Sequence, residues 1–214
     1  MSISEKKTIL ADLHYLPSIE YFCLLDSYET IILENHEHFI KQTYRNRCHI
    51  LGPNGRLTLS VPVIGGRKKI AMKDLRIDHD QKWSNNHWRA IQSAYGKSPF
   101  YEFFRDDFKA IFQKKETFLV DLNCELLTLC LDLLGLKKKL IFSEKYENDP
   151  KRSNISDFRS VIHPKISFEQ RVFYRPVPYP QVFGKDFVPN LSIIDLLMCE
   201  GPNSLAIVRK STRK

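Results

Sequence analysis

Arg45, Asn46 and Arg47 set two guanidinium groups and an amide in consecutive positions, with Gln42 and Tyr44 just ahead of them. Forked guanidinium donors match the planar oxygens of carboxylates and phosphates, so this stretch reads as a binding segment for an anionic small molecule. The aromatic ring of Tyr44 would wall such a ligand. A second set of residues can move protons. His14 and His36 carry imidazoles, whose ordinary titration lies near neutral pH, and each has polar or aromatic neighbours in Tyr15 and Asn35. His14 and His36 are the catalytic candidates, with Tyr15 and Asn35 as ligand contacts. Glu34, His36 and His38 alternate as metal ligands on one strand could, but no third ligand is fixed by spacing, and no metal is expected.

Elements able to position these groups follow from the hydrophobic pattern. Lys7 to Ala11 reads as a strand, Ser18 to Ser27 as a helix capped by Ser18, and Thr30 to Leu33 as a β-branched strand covered on both faces. That order predicts a strand-helix-strand crossover with a parallel pair. The loop Asp12 to Pro17 and the segment Glu34 to His36 would then share the carboxyl edge of the sheet, where open α/β sheets bind ligands. Cys48 to Leu51 and Leu57 to Val63 flank Gly52-Pro53-Asn54-Gly55 and predict a hairpin that holds the arginine segment rigid. Gly65 to Lys69 lacks the spacing of a phosphate cradle and reads as an exposed loop.

Farther on, Ile70 to Ile77 reads as a strand and Asn85 to Tyr95 as a helix, followed by a second helix carrying Phe100, Phe104, Phe108 and Phe112. Thr117 to Leu134 predicts the longest helix, ended by Gly135, and Leu140 to Ser143 a strand. The polar stretch Glu144 to Lys165, with Arg159 and His163, is expected to be partly irregular and mobile. Three prolines in Tyr174 to Pro180 force an extended path, so Arg175 and Tyr179 stand on a stiff segment and Arg175 becomes a further ligand contact. Ser192 and Asp195 have the spacing of a capping box before Leu196 to Met198 and the stop at Gly201.

Bulk properties bound the function. At 214 residues with 43% hydrophobic content, the chain can form one domain with its own core. No apolar run approaches the roughly 20 residues of a membrane span, and no export signal is apparent, so a cytoplasmic protein is expected. The five cysteines include no C-x-x-C pair and read as reduced thiols. Much of the net charge of +8 sits in Lys137-Lys138-Lys139, Lys151-Arg152 and the tail 209–214, which is expected to be a disordered, solvated end. No nucleic-acid motif accompanies it, which argues against a nucleic-acid partner. No cofactor and no oligomeric state can be named. The fold expected is α/β: a single three-layer domain over residues 1–214 with a mixed sheet, the N-terminal crossover plus the hairpin, and helices on both faces.

Four blocks carry a resemblance: KQTYRNRCHILGPNGRLTLSVPV from Lys41, HWRAIQSAYGKSPFYEFFRDDF from His87, DFRSVIHPK from Asp157 and QVFGKDFVPNLSIIDLLMCEGP from Gln181. Together they resemble a shorter branch of the bacterial WbqC-like protein family. Founding members of that family occur in gene clusters for O-antigen and related surface polysaccharides. The resemblance therefore implies a transferase that binds an anionic nucleotide-sugar or acyl or amino-acyl ligand in surface-glycan assembly, or a binding module that has lost the chemistry. Longer members begin Gln-Pro-x-Tyr-x-Pro, or its phenylalanine version, where this chain has Asp12 to Pro17. They have an Asp pair where Asn35 and His36 stand, and Trp in place of Tyr44. If the lost carboxylates served catalysis there, this branch either uses other groups, such as His14 and His36, or has lost the reaction.

Overall fold

The computed structural model describes residues 7–66, 68–148 and 155–213. Strand β1 (Thr8–Asp12), helix α1 (Ile19–Asp26) and strand β2 (Thr30–Glu34) form the expected crossover, and the two strands pair in parallel from Thr8 with Thr30 to Asp12 with Glu34. The β-branched runs Thr8-Ile9 and Thr30-Ile31-Ile32 suit extended strands, and the side chains of Ile9, Ile31 and Leu33 are buried in the core. The same register sets the Asp12 and Glu34 carboxylates side by side at the edge. Two like charges on adjacent strands repel unless cations join them, which makes this edge the electrostatic problem the rest of the chain must solve.

Strand β3 (Arg47–Gly52) and strand β4 (Gly55–Ser60) form an antiparallel hairpin turning at Gly55, whose φ of 100° only glycine adopts without strain. Helices α2 (Trp83–Tyr95), α3 (Tyr101–Gln113) and α4 (Leu119–Leu133) follow in turn. Gly135 ends the third of them with a φ of 69°. Strand β5 (Lys139–Phe142) adds in parallel to β2, and β6 (Ile155–Asp157) adds in parallel to β1. The protein is thus α/β with both pairing modes, divided between a parallel sheet in the order β5-β2-β1-β6 and the separate hairpin. Helices α5 (Ile193–Glu200) and α6 (Ser204–Ser211) complete the chain. Gly201 between them has a φ of 50°, and any side chain there would run into the Phe100 ring.

Several local expectations are corrected. Ile70 to Ile77 is a short 3-10 turn at Met72–Asp74 flanked by single bridges, because Met72 and Lys73 donate to the Glu37 and Asn35 carbonyls and leave no ladder to extend. Ser18 precedes α1 without a side-chain cap, and its backbone instead bridges Ser192, tying the starts of α1 and α5 together. Ser192 does cap α5, yet Asp195 does not reach back to it. Its carboxylate accepts from the Tyr179 hydroxyl at 2.6 Å and the Gln181 amide at 3.0 Å inside the core. The polar stretch after β5 contributes β6, a strand too short and too polar to register as one. The mobility expected there bears partly on 149–154, outside the described residues, as does Arg67 of the Gly65 to Lys69 loop. Helix α6 takes in the first residues of the basic tail, running to Ser211 with Ile207, Val208 and Ser211 buried, and Thr212 bridges Tyr174. Among the described residues no helix is long and apolar enough to cross a membrane.

Candidate functional site

In the parallel sheet, β2 and β5 lie on one side of β1 while β6 returns to the other, so the strand order reverses between β1 and β6. A crevice opens beyond the carboxyl ends of strands at such a reversal, and ligands of open α/β sheets bind there. A cavity of about 650 Å³ occupies this edge, lined by residues that include His36, Glu37, His38, Tyr146, Asp157, Arg159 and Ser160. It is within the size range of small-molecule sites.

Behind the cavity lies a charged network that begins with the Asp12 and Glu34 pair. Arg45, 1% exposed, reaches across to it: Nη2 lies 2.9 Å from Asp12 Oδ1, while Nε and Nη2 bond both Glu37 oxygens at 2.6 and 2.8 Å. Its backbone is fixed by Asn123 of α4, whose buried amide donates to the Arg45 carbonyl at 2.7 Å. Arg159 serves Glu34 in the same way, 3.1 Å from its Oε2, while both its Nε and Nη2 bond Asp157 and the Tyr146 ring covers its guanidinium. Ser160 joins the halves. Its amide donates to Asp12 Oδ2 at 2.8 Å, its hydroxyl accepts from Arg45 at 3.2 Å, and it holds the left-handed φ of 58°. A non-glycine residue in that conformation is strained and is kept there by its surroundings.

The network splits the two carboxyls that share Arg45. Burial drives Asp12 upward, but its contact with His14, the Arg45 charge and the Ser160 amide outweigh it and hold the group below its ordinary value. Burial also drives Glu37 upward, and here the neighbouring Asp12 and Glu34 charges reinforce it against Arg45, so the carboxyl is raised toward neutrality. Opposite shifts in adjacent carboxyls are the pattern by which a site assigns one group to hold charge and another to exchange a proton. Only Glu37 of the two lines the cavity.

The structure distributes the residues singled out by sequence over several places. His14 and Arg45 belong to the buried network; His14 lies 3.7 Å from Asp12 between the Tyr21 and Tyr44 rings, and burial holds it neutral, below its ordinary pKa. Asn35 and His36 sit at the sheet edge, both bonded to the Ser143 hydroxyl that follows β5, with His36 facing the cavity. Gln42, Asn46 and Arg47 line a different cavity, described below. Tyr15 points away, its hydroxyl 2.8 Å from His87 Nδ1 in α2, and Tyr44 packs against His14 and His49. Arg175 is exposed, and among the described residues its backbone amide donates to the Ser211 carbonyl. The single cleft expected around His14, Asn35 and Arg45 to Arg47 is therefore not what forms: Arg45 meets carboxylates of its own chain and turns away from Arg47.

Asp12, Glu34, Glu37, Asp157, Arg159 and Ser160 were not singled out as site residues. A charged residue closing each of two legible parallel strands was a usable signal for Asp12 and Glu34, since such strands end at the ligand edge, whereas Asp157 closes a strand that the sequence does not reveal. Nothing local marks Glu37 or Ser160. Among the described residues no three His, Cys, Asp or Glu side chains converge as metal ligands.

The model of the WbqC-like protein family matches residues 13–165 and 164–207. An uncharacterized protein of Mycobacterium tuberculosis, Rv1507c, is 26% identical over 234 aligned residues that cover 96% of this chain and all of the relative. No solved structure matches.

Proposed function

Because the chain belongs to the WbqC-like protein family, we propose that it is a transferase of bacterial surface-polysaccharide assembly that accepts an anionic donor, a nucleotide sugar or an acyl or amino-acyl compound. The observation that carries this reading is Glu37, a carboxyl that lines the sheet-edge cavity, is anchored by Arg45 and is raised toward neutrality beside an Asp12 that stays ionised. In the reaction, the acceptor hydroxyl or amine gives its proton to Glu37 as its oxygen or nitrogen bonds the transferred carbon, and the donor's leaving group departs with the bonding electrons. His36, on the same wall, is the second proton-transfer candidate. Buried His14 acts through Asp12 as a positioning residue.

The test exposes the protein to uridine and thymidine sugar nucleotides and to acyl donors, and measures melting temperature and turnover. A ligand that binds only the folded state must raise the melting temperature. Glu37→Gln is expected to keep that rise and to lose about 100-fold or more in turnover, the usual weight of a general base. No stabilisation by any donor overturns the reading. A second reading, a binding module without chemistry, is favoured by Asn35 and His36, which by the family resemblance stand where longer members have an Asp pair and which are both bonded to Ser143. It requires that Glu37→Gln leave cellular function intact.

A further inference from the structure

The segment 36–42 lines two cavities. His36, Glu37, His38 and Ile40 contribute to the sheet-edge cavity, whereas Phe39, Lys41 and Gln42 contribute to a second of about 340 Å³ that is completed by Asn46, Arg47, Val63 and Gly66. No acidic residue is among the described residues lining this second cavity.

Its polar groups are short of partners. Arg47 Nε is buried without a hydrogen bond, and among the described residues Arg47 has no carboxylate within ion-pair reach. Arg45, Arg159 and Arg171, the other buried or nearly buried guanidiniums, are each paired within the chain. Asn46, 9% exposed, is fixed by its amide on the Val61 carbonyl at 2.8 Å and by its own carbonyl, which accepts from the Val61 amide, leaving its buried side-chain oxygen Oδ1 free. Lys41 and Gln42 extend the rim with no bonded side-chain partner among the described residues, and Gln42 keeps a left-handed φ of 58°. Unmet buried donors and acceptors are unfavourable, so a site that retains them together around an open volume is built for a ligand that meets them.

We propose that this second cavity binds an oxyanion, with Arg47 and Lys41 holding its charge and Asn46 Oδ1 accepting from a neighbouring hydroxyl or amide of the same ligand. Phosphate esters and carboxylates share this chemistry. The inference deepens the transferase reading: the anionic part of the donor sits on the Arg47 side of segment 36–42, and its transferable group faces Glu37. The site nevertheless stands without that reading, because it requires only binding.

Calorimetric titration of the purified full chain with pyrophosphate, uridine diphosphate and citrate tests it, using Arg47→Gln, Lys41→Gln and, as a charge control, Lys109→Gln on the exposed face of α3. At least one of these anions is expected to bind, about ten-fold or more weaker to Arg47→Gln and unchanged for Lys109→Gln, as loss of one charge-assisted contact predicts. The phosphate and carboxylate arms identify which oxyanion is preferred. Arg47→Gln without ligand is expected to melt no lower than the wild type, since it removes an unpaired buried donor. Absence of binding for all three anions, equal binding by Arg47→Gln, or a marked fall in its unliganded melting temperature overturns the proposal. Arg47-dependent binding without turnover would sink only the transferase reading, whereas donor binding indifferent to Arg47 would sink only this one.

Discussion

The two cavities that share segment 36–42 treat charge in opposite ways. At the sheet edge, Asp12, Glu34, Glu37 and Asp157 surround Arg45 and Arg159, and every guanidinium is anchored on carboxylates. Across the segment, Arg47 has no such anchor among the described residues, and Asn46 keeps a buried acceptor unbonded there. The first arrangement is closed on itself: its charges hold the strand ends and the loop after β6 in place, and its exchangeable feature is a proton on Glu37. The second leaves Arg47 Nε and Asn46 Oδ1 without partners among the described residues. Two arginines with one residue between them near one strand start therefore part company, Arg45 bound into the fold by carboxylates and Arg47 left without one among the described residues, a division that sequence proximity hides.

The largest expected effect sharpens this contrast. Arg45→Ala leaves Asp12 and Glu37 buried without their cation, and breaking a buried ion pair in this way destabilises by about 3–5 kcal/mol. Urea unfolding measures it. A loss below about 1 kcal/mol would mean that the network is not what holds the edge, and the comparison would fail at its stronger side.

Next in size is the pH dependence. Glu37, raised from 4.5 to about 7, binds a proton more tightly when folded, so its contribution to stability is complete below 4.5 and is lost as pH rises through about 7. His87 works the other way: burial lowers it from 6.5 to about 4, so its contribution is present above 6.5 and is lost as pH falls through about 4. The two partly cancel between pH 4.5 and 6.5. The difference between wild type and Glu37→Gln isolates the first. Stability of the wild type relative to this variant should fall by on the order of 2 kcal/mol from pH 4.5 to 7.5, since the buried carboxyl is partly compensated by Arg45. A flat difference curve in thermal melts would remove Glu37 as the proton-exchanging group.

Ser160 tests the junction between network and cavity. Both Ser160→Ala and Ser160→Gly delete the hydroxyl that accepts from Arg45, but only glycine relieves the φ of 58°. The glycine variant should be the more stable of the two by about 1 kcal/mol in urea unfolding. Equal stabilities would show that the backbone there is not strained.

Sequence reasoning reached the frame better than the site. The crossover was legible because the TILA and TIIL runs alternate with a helical stretch, and the hairpin because Gly52-Pro53-Asn54-Gly55 interrupts alternating apolar residues. β6 was not legible, since Ile-Ser-Asp has no periodicity of its own and is a strand only because β1 offers it an unpaired edge. The site failed for a related reason. A guanidinium reads the same in sequence whether its partner is a ligand or a carboxylate eight residues away, and Glu37 reveals itself as that partner only when the segment after β2 folds back over Arg45.

The smallest effects decide whether the open cavity belongs to recognition. Without ligand, Arg47→Gln and Lys41→Gln should each change unfolding free energy by no more than about 0.5 kcal/mol, the range of substitutions that break no internal partnership. Arg45→Ala, two positions away, should cost several times more. Adding pyrophosphate should then separate the proteins: the wild type gains stability in proportion to the logarithm of ligand concentration over its dissociation constant, and Arg47→Gln gains less at every concentration. If Arg47→Gln instead lost as much stability as Arg45→Ala and kept the full pyrophosphate response, Arg47 would belong to the same closed network as Arg45, and the distinction between the two cavities would disappear.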